Sequence, residues 1–82
     1  MADIPPEFFD AVDRFIVLAN ELTRDNNNSR VSSILMYAAA RYNAHTVISL
    51  DEDPLAHRDE AIDYLTEQYR RMLLENFEEM LS

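Results

Sequence analysis

The sequence predicts an all-α fold: a three-helix bundle built on an antiparallel helical hairpin, with a long C-terminal helix, in one domain spanning 1–82. Three observations predict it. Val31 to Leu50 is a long apolar run rich in helix formers. The stretches on either side carry apolar residues at helical spacing. Two short polar breaks, Asp25–Arg30 and Asp51–Pro54, divide the three stretches.

Helix 1 is expected over about 6–24. Pro5 and Pro6 suit a first helical turn, where a missing N–H costs nothing. Phe8, Val12, Phe15, Ala19 and Leu22 then recur every three or four residues, the signature of a buried seam. Asp10 and Arg14 lie one turn apart on the opposite face, with the acid first, the more favourable order.

The run Asp25-Asn26-Asn27-Asn28-Ser29-Arg30 should end helix 1, because Asn tolerates the left-handed conformation in place of Gly. Asn28 or Ser29 is suited to cap helix 2. A connection this short makes helices 1 and 2 antiparallel.

Helix 2, about 30–50, is the expected centre of the fold. Ala38, Ala39 and Ala40 favour helix, and period-two alternation is absent. Advancing about 100° per residue spreads apolar side chains around every side. A helix without a polar face is expected to be buried. Arg41, Asn43 and His45 near its middle argue against a membrane span.

Helix 3 is expected over about 54–81, with Asp53 as cap, Pro54 in the first position and room for a loose first turn before Asp59. Ile62, Leu65, Tyr69, Met72, Asn76 and Met80 form its seam. Glu67 and Arg71 make a second well-ordered pair. Glu75, Glu78 and Glu79 crowd the negative end of the helix dipole, so the last turn should fray.

Composition narrows the function. The chain has 82 residues, 16 acidic against 7 basic, for a net charge of −9. Such a chain repels phosphate backbones, so no nucleic acid is expected as a partner. Absence of Cys removes disulfides and thiolate chemistry. Absence of Gly removes phosphate-cradling loops and the EF-hand loop. All seven cations are Arg, so Schiff-base lysine chemistry is missing too. No signal segment is evident, which makes a cytoplasmic location the expectation.

Catalytic residues are not apparent. His57-Arg58-Asp59-Glu60 is not a zinc motif, and Glu60, Asp63 and Glu67 read as a solvated helix edge. The acid run before Pro54 lacks the Gly and the regular oxygen series of a calcium loop. No metal and no cofactor are expected. The one polar cluster worth testing is Arg41, Asn43 and His45 on helix 2, with Asn20, Glu67 and Tyr69 as neighbours across the bundle. A buried Arg41 needs a carboxylate partner, with Asp13, Asp63 and Glu67 the candidates, and Asn43 could bond Asn20, Tyr69 or Asn76. The cluster reads first as a structural device fixing register, and second as a small-ligand or metal site.

Two flanking helices cannot cover all sides of helix 2. Met36 and Tyr37 on helix 2, and Phe77, Met80 and Leu81 on helix 3, are therefore expected to lie in a twofold homodimer interface. The function that follows is a non-enzymatic protein-interaction or regulatory module.

Five blocks carry a resemblance. E-F-F-D-A-V-D-R-F-I-V-L-A-N at 7–20 is followed by Y-A-A-A-R-Y-N-A at 37–44, A-I-D-Y at 61–64, E-Q-Y-R-R-M-L at 67–73 and Asn76. Together they resemble a family of small, all-helical bacterial proteins, chiefly proteobacterial, known only as a domain of unknown function. The resemblance implies a bacterial, cytoplasmic protein and supplies no catalytic residue.

Overall fold

The computed structural model describes residues 4–26 and 30–82. The described residues form three helices and no strand: α1 (Pro6–Asn26), α2 (Val31–Leu50) and α3 (Arg58–Leu81). They fall into two compact units, residues 1–42 and 43–82, and the boundary lies inside α2.

The first unit holds α1 and the first part of α2, which contact each other. The Phe8 N–H donates to the Pro5 carbonyl at 3.0 Å, so the proline pair does open the helix. Phe8 and Phe9 meet edge to face, with ring centroids 5.4 Å apart. Near the other end, the Thr23 hydroxyl returns to the Ala19 carbonyl at 3.1 Å. The helix continues through Asp25 and Asn26, two residues beyond the expected end. The Arg30 carbonyl accepts from the Ile34 N–H at 2.9 Å, which fixes the start of α2. Asn27, Asn28 and Ser29 lie outside the described residues, and with them the expected cap of α2.

The second unit holds the rest of α2, the connection and α3. Here the structure chooses between the two starts that the sequence left open: α3 begins at Arg58, and 54–57 form a turn before it. The reason is local hydrogen bonding. The Asp53 carboxylate accepts from the Ala56 N–H at 3.3 Å, and its carbonyl accepts from the His57 N–H at 3.3 Å. These bonds close a turn over 54–57 but do not start a helical ladder. The ladder starts only when the His57 carbonyl accepts from the Ala61 N–H at 3.0 Å. The residue at the cap position is therefore His57, whose side chain makes no capping bond. At 24 residues, α3 is about 36 Å long at ~1.5 Å per residue.

On α3 the polar side chains largely bond their own helix. Glu67 pairs with Arg71 at 3.1 Å, as the spacing predicts. The Thr66 hydroxyl donates to the Ile62 carbonyl at 2.8 Å, and the Asn76 amide to the Met72 carbonyl at 2.7 Å. The helix runs to Leu81, with Glu78 and Glu79 in its last turn, and the Ser82 hydroxyl donates to the Glu79 carbonyl.

Burial supplies the main correction. Val31 is the only buried hydrophobic among the described residues. The expectation of a buried α2 is not met within a single chain: Tyr37, Tyr42 and Leu50 are 69%, 71% and 81% exposed. A buried Arg41 in need of a carboxylate is likewise not found, because Arg41 is exposed. No helix of the described residues is long and apolar enough to cross a membrane.

Candidate functional site

The residues singled out from sequence divide between the two units. Asn20 and Arg41 belong to the first; Asn43, His45, Glu67 and Tyr69 belong to the second. All six are exposed. Glu67 is engaged by Arg71, and Asn76, expected as a partner for Asn43, is engaged by the Met72 carbonyl. Of the interface candidates, Met36 and Tyr37 lie on α2, and Phe77, Met80 and Leu81 on the last turns of α3; all are exposed.

A different polar pair forms the most organised side-chain group. His57 Nδ1 lies 3.0 and 3.1 Å from the two carboxylate oxygens of Asp51. The same carboxylate accepts from the Asp53 N–H at 2.9 Å. This is an Asx turn, the local bond by which Asp starts a reversal of the chain. Asp51 thus holds both ends of the turn that links α2 to α3. Sequence reading considered His57 only within His57-Arg58-Asp59-Glu60 and missed Asp51, because a six-residue separation matches no helical period. The Asp-Glu-Asp-Pro turn signal was the available clue, since an Asx turn aims its carboxylate back over the following residues.

The pair shifts both groups. Asp51 is held below its ordinary value of 3.8, first by the Asp53 N–H and then by the His57 ring. His57 is raised above 6.5 by its bond to Asp51, then by the Asp51 charge, with a smaller contribution from Glu60. A raised His favours the fold below 6.5, and the contribution is lost as pH rises through the folded value. A lowered Asp favours the fold above 3.8, and the contribution is lost as pH falls through the folded value. The clasp is therefore strongest between about pH 3.8 and 6.5. Both groups are solvated, so the effect on stability is small. NMR titration should show His57 protonating at higher pH than in an Asp51→Asn variant. Identical His57 titration curves in the two proteins would show that the clasp does not form in solution.

Thr46, Val47, Leu50 and Glu52 join the pair around an open depression of about 730 Å³. With Nδ1 directed at a carboxylate, Nε2 is the ring nitrogen left for outside contacts. Chemically the arrangement takes up and releases a proton. Two ligands fall short of the three or four protein donors of an ordinary zinc site. No group of three or more His, Cys, Asp or Glu that could hold a metal occurs among the described residues.

These features define a class: a small, acidic, all-α chain whose apolar helix faces are largely exposed. Residues 8–81 match the family described as "Protein of unknown function (DUF3144)", and the chain belongs to it. No curated protein and no solved structure gives a significant match.

Proposed function

We propose that this chain is a non-enzymatic protein-interaction or regulatory module, and that its first partner is a second copy of itself. The observation that carries the reading is burial. Hydrophobic residues make up 48% of the sequence, yet Val31 alone is buried among the described ones. Phe15, Phe77 and Met80 are 64%, 59% and 78% exposed. Apolar faces of this extent usually mark an interface. Units of about 40 residues seldom build a sufficient core without disulfides, metal or association, and this chain has no Cys. Association is the remaining source of burial that the reading invokes.

In this reading the four-residue connection between α1 and α2 makes an antiparallel hairpin. With α3 it forms a three-helix bundle whose core closes in a twofold dimer. Met36 and Tyr37 are the α2 residues assigned to that contact. Arg41, Asn43 and His45 set register in this scheme; a ligand site there keeps only its sequence rationale.

Sedimentation equilibrium is the direct test. The expected result at tens of micromolar protein is a species of twice the 9.6 kDa chain mass. A monomer that keeps its full helical signal under those conditions overturns the dimer.

A further inference from the structure

We infer that residues 53–57 are a ready-made first turn of α3 that the Asp51–His57 clasp holds apart from it, and that loss of the His57 proton joins the two, so that α3 then begins at Pro54. The inference lies within the second unit and does not rest on the interaction reading. The turn already carries the bonds with which a helix starts. The Asp53 carboxylate accepts from the Ala56 N–H at 3.3 Å, the bond that an N-cap makes to the third residue after it. The Asp53 carbonyl accepts from the His57 N–H at 3.3 Å, the spacing of a first helical rung. Pro54 stands where a helical residue gives up no bond. The interruption falls at His57, with φ −105° and ψ 11°, about 40° and 50° from helical values. A helical His57 would let the N–H groups of Arg58, Asp59 and Glu60 reach the carbonyls of Pro54, Leu55 and Ala56, and so continue the ladder.

The His57 ring keeps its residue out of the helix. Nδ1 is tied to the two Asp51 oxygens at 3.0 and 3.1 Å. Asp51 is in turn anchored to α2, where its N–H donates to the Val47 carbonyl at 3.0 Å. The charged groups around the ring come from both sides of the turn: Asp51 and Glu52 after α2, and Glu60 in the first turn of α3. All three are acids, and the neighbouring Arg58 is engaged by Asp59 at 3.1 Å. The clasped form therefore holds the His57 proton. In the lengthened helix the same ring would lie in the first turn, where the positive end of the dipole opposes a cation and accepts a neutral ring. The Asp53 carboxylate at the cap is favoured there by the same dipole. Its N–H can stay on Asp51, because the N–H of a capping residue has no helical partner. The two forms thus differ in proton affinity, and rising pH moves the population towards the longer helix.

The test is a pH titration of the full, isotopically labelled chain, read from the backbone carbon shifts of Leu55, Ala56 and His57 and from the His57 ring. Above the ring's transition the three backbone shifts should take helical values. The ratio of long to clasped chains should rise at least ~3-fold between about pH 5 and 9, as the charged bond and the cation at the helix start are lost together. The backbone midpoint should coincide with that of the His57 ring and not with that of His45. Asp51→Asn keeps an acceptor for the Asp53 N–H but removes the charge that holds the ring, so 54–57 should be helical at both ends of the titration. Asp53→Ala removes the cap, so α3 should begin at Arg58 at both ends. Backbone shifts that stay constant while the His57 ring titrates overturn the inference. So does a helix that lengthens on acidification, or an Asp51→Asn chain that keeps the wild-type pH dependence at 54–57.

Discussion

Ala39→Pro should abolish most of the thermal stability. Ala39 lies inside α2, where proline removes the bond to the Leu35 carbonyl and drives its ring against that group. The cost is about 3 kcal/mol or more. A chain of this length holds only ~4–12 kcal/mol in total, at ~0.05–0.15 kcal/mol per residue. The melting temperature should therefore fall by more than about 12 °C, using ~4 °C per kcal/mol for a domain of this size. Ala39→Gly, which keeps the N–H, should cost only about 1 kcal/mol. The ratio between the two variants matters more than either value. It separates loss of the helical ladder from loss of helix propensity. Far-UV circular dichroism during thermal melts provides the readout. A proline variant that melts within about 3 °C of wild type would mean that α2 is not a continuous helix at that point.

The helices themselves were legible because their causes are local. Strong helix formers, no Gly, and polar breaks at Asp25–Arg30 and Asp51–Pro54 act over a few residues. Two features were less legible, for different reasons. A loose first turn before Asp59 could be foreseen, but the start of α3 depends on the competition for Asp53 between a cap role and an isolated turn. That competition is decided by Asp51, which holds the Asp53 N–H and the His57 ring together. The link crosses six residues through a turn, and no periodic pattern records it. The exposure of α2 was missed for a tertiary reason. An all-round apolar helix states that burial is needed, not that the same chain provides it. Tyr37 and Leu50 satisfy the sequence rule for a core helix and are still exposed. The polar cluster was argued from that burial. Arg41 is exposed in the single chain, so a carboxylate partner is demanded only where association buries α2.

If association supplies the missing core, the unfolding midpoint must depend on protein concentration. A two-state dimer unfolding to monomers loses ~1.4 kcal/mol of stability for each tenfold dilution. With ~2–4 °C per kcal/mol for an assembly of this size, the midpoint should drop by about 3–6 °C per decade. Over the two decades from about 200 to 2 µM, the expected fall is roughly 6–11 °C, well above the error of a melt. Tyr37→Glu should amplify the effect. It places a charge at a surface assigned to the second copy, where an unpaired buried charge is costly. In a monomer the same substitution is nearly silent, because Tyr37 is already 69% exposed in the single chain. The variant therefore distinguishes the two states by stability alone, without a separate assay of mass. A midpoint that is constant with dilution, together with a neutral Tyr37→Glu, would mean that the exposed α2 face of one chain does not need a second.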